Sequence, residues 1–340
     1  MKPHSAWTAR FPGPRRGTIL RGVVRRGIVR MVVVVLLAFG FAGNAPAEEF
    51  LAPERNGGTR VDAIHRDISR RILSTAQWLD SFFDDERFES EENRSRMRIS
   101  FENRLLDAEG LDSDVRTRLR IVLPELEERL AFEISGDTGD SFRNVPSRGV
   151  EDPDESGLTA GFRYLIRGTD RFNLHLSTGV RIRDAAPVFY LEPRHRFTQD
   201  LEPWILRFTQ RLRWYSDEGW EPRSRVDLER LIWGDFFFRS TAEVKWLERE
   251  PGVFYDLDAS VSRVLDSVSA AELLWGNRFE TRPRHRLERS FLQFRYRRRI
   301  WRDWLSFEIG PELAFPEDRD FHPSLGAFLN VHVVFGYAEP

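Results

Sequence analysis

His175 and Ser177 stand two apart in the stretch Phe172-Asn173-Leu174-His175-Leu176-Ser177. In an extended strand that spacing puts both side chains on one face. An imidazole beside a hydroxyl can serve as base and nucleophile when a carboxylate orients the ring. Asp184 and Glu192 lie close enough in sequence to be that acid, although no motif fixes either one. The plainer reading is a histidine and a serine hydrogen-bonding on a polar strand face. It is preferred here, so no residue is assigned a catalytic role and the chain is not expected to be an enzyme.

Other chemistries find less support. There is no phosphate-binding glycine loop, no dinucleotide fingerprint and no His-Glu-x-x-His zinc motif. His195, His285 and His322 are scattered without ligand spacing, so neither a metal nor a cofactor is expected. Cysteine is absent, which excludes disulfides, thiolate ligands, cysteine nucleophiles and a lipid-modified N-terminal cysteine. Asp137, Asp140, Glu151, Asp152, Asp154 and Glu155 crowd the segment 136–157. They could take up a divalent cation or meet cation-bridged lipopolysaccharide, but a solvated loop is the commoner meaning of such a run.

The elements that would carry these residues have a regular beat. Apolar and polar residues alternate in fourteen segments, near 95–105, 115–123, 130–135, 158–167, 171–182, 186–198, 203–215, 222–232, 236–247, 252–264, 268–280, 286–297, 304–315 and 324–337. Alternation of period two marks a half-buried strand. Trp204, Leu206, Phe208, Leu212 and Trp214 share one face, and Arg207, Thr209, Arg211 and Arg213 the other. Phe236, Phe238, Ala242, Val244 and Trp246 likewise oppose Arg239, Thr241, Glu243 and Lys245. The fifth segment sets Arg181 beside Ser177 and His175. Further charges at polar-face positions are Arg116, Arg118, Arg120, Asp256, Asp258, Arg295, Arg297, Glu308 and Glu312.

Connections also alternate. Asp107–Asp114, Gly136–Gly157, Ser216–Glu221 and Pro316–Pro323 fall at one end. Pro124–Arg129, Gly168–Asp170, Gly234–Asp235 and Asp266–Ser267 fall at the other, and the longest connection belongs to the first set. Bulky residues recur at intervals of ten: Trp204 and Trp214, Phe236 and Trp246, Leu305 and Phe315, Leu325 and Phe335. Ten residues at ~3.3 Å each, tilted ~40°, project to about 25 Å, the height of an apolar membrane band edged by aromatic girdles. Trp204, Trp214, Phe236, Trp246, Phe315, Phe335 and Tyr337 are the expected girdle residues.

The pattern over 95–337 resembles that of Gram-negative outer-membrane β-barrels as a class. Phe335-Gly336-Tyr337 is similar to the C-terminal aromatic signal by which assembly machinery recognises such barrels, though here Ala338-Glu339-Pro340 follows it. The expectation is therefore an all-β fold. It is a single antiparallel transmembrane barrel of about fourteen strands, with twelve as the alternative because strand number is even, preceded by a short periplasmic helix. A charge facing mid-bilayer lipid costs ~2–4 kcal/mol for Arg or Lys, so the charged face must line the lumen. Paired across it, those charges would stiffen the barrel. Left in open water, an arginine ladder facing an acidic strip would favour anions. His-x-Ser resembles the pair in outer-membrane lipid A deacylases. That resemblance implies a lipid hydrolase, but His175 and Ser177 share the lumen parity.

The N-terminus fits export. Arg25, Arg26 and Arg30 precede the apolar run Met31–Ala42, and Ala45-Pro46-Ala47 supplies a cleavage site, so residues 1–47 are expected to be a signal peptide. They carry 8 of the 52 basic side chains and none of the 54 acidic ones, so the remainder is more acidic than the formal net charge of −2 and does not suit nucleic acid. Residues 48–94 form a lead in which Val61, Ile64, Ile68, Ile72, Thr75, Leu79 and Phe82 trace a helical stripe over 61–83. The helix could pack on the barrel mouth, plug the lumen or dock a periplasmic partner. Residues 95–340 are the expected barrel, in contact with outer-membrane lipid and lipopolysaccharide. A porin-like passage or a structural membrane component is the leading functional expectation.

Overall fold

The computed structural model describes residues 60–83, 95–107, 110–123, 129–137, 158–169, 171–183, 185–249, 252–301 and 303–336, excepting the side chains of 60–70, 81 and 137. The expected signal segment, the acidic run of 138–157, Asp184 and Tyr337 lie outside these residues.

Among the described residues one α-helix, α1 (Arg60–Phe83), precedes fourteen strands. These are β1 (Arg96–Leu106), β2 (Gly110–Leu123), β3 (Leu130–Asp137), β4 (Thr159–Gly168), β5 (Phe172–Arg183), β6 (Ala186–Asp200) and β7 (Ile205–Tyr215). They continue as β8 (Gly219–Ile232), β9 (Phe236–Trp246), β10 (Val253–Asp266), β11 (Ser269–Glu280), β12 (Arg286–Arg299), β13 (Leu305–Pro316) and β14 (Ser324–Phe335). Every strand pairs antiparallel with its sequence neighbours, and β1 closes on β14 with Met97 opposite Phe335 and Leu105 opposite Ala327. The barrel thus has fourteen strands rather than twelve. Closure matters because an unpaired strand edge cannot sit in hydrocarbon.

The expected segments match these strands to within a few residues, except at two starts. β2 begins at Gly110 and β8 at Gly219, so the connections placed at Asp107–Asp114 and Ser216–Glu221 are tighter than the sequence suggests. The cause is the inner face. Asp114 and Glu221 look like loop residues, yet both are buried there while Leu111 and Trp220 stay exposed outside. Alternation runs on through acids when the interior is polar.

Side chains divide as the beat requires. Phe101, Ile121, Phe189, Leu212, Leu292 and Leu329 are exposed on the outer wall, and their sequence neighbours turn inward. A recurring device packs the inner wall: an aromatic ring occupies the space beside a glycine directly opposite on the next strand. Tyr190 covers Gly179, Phe291 covers Gly276 and Phe328 covers Gly310. A Cβ on Gly179 would come within 2.2 Å of the Ala160 carbonyl oxygen and 2.6 Å of the Gly161 Cα, both backbone atoms that cannot swing away. Overpacking of this kind costs about 1–3 kcal/mol. Gly179→Ala should therefore lower the urea midpoint of barrel unfolding, read from the heat-modifiable gel band, whereas Gly234→Ala, at an open turn, should be limited to local backbone strain. An unchanged midpoint for Gly179→Ala would contradict the packing described.

Candidate functional site in the barrel interior

The inner wall is a mesh of arginine–carboxylate pairs, and most run between adjacent strands. Arg120 meets Glu133 at 2.6 Å across β2–β3, and Arg163 meets the same carboxylate at 2.9 Å from β4. Arg213 and Arg211 of β7 share Glu192 of β6. Arg223 and Arg225 share Glu243, and Lys245 lies 4.0 Å from Glu221. Arg278 reaches Asp258 at 2.6 Å and Asp256 at 3.2 Å. Arg295 binds Glu272 at 2.6 Å, and Arg297 binds Glu308 at 2.8 Å. Glu312 takes Arg289 from the adjacent β12 and Arg104 from β1, two strands away. Arg116 pairs with Asp114 and Glu102, and Arg181 donates to the Tyr215 hydroxyl. These pairs run along the wall, mostly between neighbouring strands. The reason is reach: cross-strand neighbours stand about 5 Å apart, well within an arginine's length.

The C-terminal half of α1 sits within this interior, against the arc from β7 to β12. Ile72, Ala76, Leu79, Phe82 and Phe83 are buried with Ile205, Phe237 and Ala270 of the wall. All three wall residues lie near the end where β6–β7, β8–β9 and β10–β11 turn. Burial of large apolar side chains contributes roughly 1.5–3 kcal/mol each. Asp80 is on the same helix face and is 1% exposed. It accepts from Arg239 at 2.6 Å and from Arg207 at 3.4 Å, and Glu229 braces both arginines from behind.

The last turn of α1 has no basic residue of its own. β12 supplies the charge: Arg297 donates to the Phe82 carbonyl at 2.6 Å, Arg295 and Arg297 lie over the Phe83 ring, and Arg299 lies over Phe82. Cations at a helix C-terminus satisfy free carbonyls and oppose the negative end of the macrodipole.

On the far side of the barrel from α1, most inner-face side chains of β1, β5 and β6 are also buried, but β2 is more accessible. Arg118 has inner-face parity, opposite buried Arg98, and is nevertheless exposed, and the Arg116 side chain is 34% exposed. Arg207, Arg239 and the paired acids beneath α1 are buried, in contrast with Arg116 and Arg118.

His175 and Ser177 are buried on the inner face. They are not wired as a relay. Glu192 stands opposite Ser177, but Arg213 and Arg211 hold its carboxylate, and the described residues show no hydrogen bond linking His175 to Ser177. The aromatic residues Trp204, Trp214, Phe236, Trp246, Phe315 and Phe335 carry outer-face parity, with Trp214, Trp246 and Phe335 exposed. His195 is also outside, between Phe172 and Phe208, and His285 bonds Tyr255.

Sequence reasoning missed Asp80, Glu133, Arg163, Glu229 and Tyr190. Asp80 had a signal, because Ile72, Ala76, Asp80 and Phe83 fall at spacings of four, four and three on one helix face. The wall residues needed only the parity of β3, β4, β6 and β8 written out in full.

A closed antiparallel barrel, apolar outside and charged within, is the architecture of outer-membrane β-barrels. No protein-family model and no curated protein sequence matches the chain. Among solved structures it is similar to a loop-deletion mutant of OmpT, an outer membrane protein of Vibrio cholerae, with 10% identity over 71% of this chain and 98% of that one and a TM-score of 0.43. The outer membrane channel DcaP of Acinetobacter baumannii shares 7% identity over 71% and 96%, with a TM-score of 0.43. The CymD monoaromatic hydrocarbon channel shares 6% over 74% and 91%, with a TM-score of 0.46. At these identities and scores the likeness is one of general form and transfers no activity.

Removing one partner of a buried ion pair costs roughly 3–5 kcal/mol. Asp80→Ala should therefore loosen α1 from the wall. Trypsin should then cut at Arg71, which is exposed on the helix, at least about tenfold faster than in the unmodified protein. Gln77→Ala, on the exposed side of α1, should leave the rate unchanged.

Proposed function

We propose that this protein is an outer-membrane channel for small anions, narrowed by its own N-terminal helix. The observation that supports this reading is the exposure of inner-face arginines on β2, away from the helix. α1 and its ion pairs occupy the β7–β12 arc, while Arg116 and Arg118 on β2 remain accessible from within the barrel. A fourteen-strand wall is wide enough to hold both a helix and water, since interior width grows with strand number. Arginines beside that water raise the local concentration of anions and repel cations.

In this reading residues 1–47 direct export and the assembly machinery reads the C-terminal strand. Lipid and lipopolysaccharide meet the outer wall, and α1 enters the lumen from the periplasmic side. The dock for a periplasmic partner and the lipid hydrolase have less behind them. The described part of α1 is already occupied by the wall, and His175 and Ser177 face inward, away from lipid.

Planar-bilayer recording of the folded chain tests the proposal. Small anion-selective steps are expected. Arg118→Glu should move the reversal potential toward cation preference, and Asp80→Ala should add larger, noisier openings as α1 works free. Silence from a correctly folded, heat-modifiable barrel, in both the unmodified chain and Asp80→Ala, would overturn the channel reading.

A further inference from the structure

The inner face of β4, β5 and β6 gathers polar groups whose donors outnumber the local acceptors. Arg163 stands opposite Ser177, which stands opposite Glu192, and His175 stands opposite Arg194. Arg163 gives one nitrogen to Glu133, and its other terminal nitrogen, Nη1, is buried with no hydrogen-bond partner among the described residues. His175 is 8% exposed, and its Nδ1 is likewise buried without a partner among the described residues. The two nearby acids are already committed: Glu133 to Arg120 and Arg163, Glu192 to Arg213 and Arg211. Tyr190 lies over the neighbouring glycine pair, its hydroxyl close above Gly161.

Leaving a buried polar group unsatisfied costs about 1–3 kcal/mol, and native structures rarely tolerate it without water or a ligand. Here the unsatisfied groups are a guanidinium N–H and an imidazole nitrogen that can carry a proton. A serine hydroxyl and a phenol accompany them. A cation would meet Arg163 and Arg194 at close range and be repelled. An oxyanion would meet a planar donor suited to carboxylate or phosphate and neutral donors to fix its orientation.

We propose that Arg163, His175 and Ser177, with Tyr190 at the edge, form a binding site for the oxyanion group of a small carboxylate- or phosphate-bearing solute on the inner wall. In this protein the site would hold the solute during passage, and so it rests on the channel reading for its role though not for its existence. Gly161 and Gly179 belong to the site because a Cβ at either would collide with Tyr190 and the adjacent backbone and displace the ring.

The test is calorimetric titration of the folded full-length chain in detergent with inorganic phosphate, and separately with acetate, at low ionic strength. Saturable binding of at least one is expected, and the stronger of the two identifies the solute class. Arg163→Gln and His175→Gln should each weaken it at least about tenfold. Ser177→Ala, a milder change, should weaken it severalfold, and Arg284→Gln, on an exposed loop, should not. Absence of saturable binding by either anion overturns the site, as does binding indifferent to Arg163 and His175. Binding without conductance in bilayers would retain the site and remove the channel. Conductance without binding would remove the site and retain the channel.

Discussion

Everything in this barrel follows from one exclusion: charge cannot face the hydrocarbon of a bilayer at tolerable cost. With period-two strands, keeping one face apolar sends every other residue inward. Arg207, Arg211 and Arg213 are inside because Leu206, Leu212 and Trp214 are outside. Once inside, those charges lose bulk water and need partners. The neighbouring strand supplies them, so the wall carries a mesh of cross-strand ion pairs.

The same exclusion explains the helix. Alone, α1 would expose Leu79, Phe82 and Phe83, and a polar lumen would be a poor place to bury them. The wall accommodates them by placing Ile205, Phe237 and Ala270 at its turn end, where the interior is locally apolar. Just beyond, Asp80 re-enters the charged mesh between Arg207 and Arg239, and β12 arginines close the helix C-terminus. The helix is matched to one arc of the wall, and the exposed inner-face arginines Arg116 and Arg118 lie on β2, away from it. Function is argued from that asymmetry: a uniformly filled barrel would be a strut, and a uniformly empty one an unselective hole.

Much of the fold was legible because the outer face writes a repeating signal. Fourteen segments, their order and most of their limits follow from alternation and from turn residues such as Gly234-Asp235. The starts of β2 and β8 escaped because Asp114 and Glu221 mimic loop composition while lining the lumen. The candidate site was legible only as chemistry. His175 and Ser177 stood out by spacing, and their inward parity was readable. Their neighbours Arg163 and Tyr190 come from other strands, and which acids Arg213 and Arg120 take depends on cross-strand register. A bulge between Leu165 and Arg167 likewise offsets β4 against β5 in a way the alternation does not announce. The seat of α1 was one of three readings, because an apolar stripe tells that a helix is covered but not by what.

The central claim is that lipid lies outside this wall and water lies inside it along β2. The natural absence of cysteine makes a direct measurement clean. Thr117→Cys and Arg118→Cys, adjacent residues of opposite parity, would be folded into lipid vesicles and treated with a charged, membrane-impermeant thiol reagent. The account predicts that Cys at 118 reacts at a rate near that of an exposed thiol, while Cys at 117 is protected by lipid and becomes reactive only when the vesicles are dissolved. Rapid labelling at 117 with protection at 118, or protection of both even after folding is verified, would contradict it.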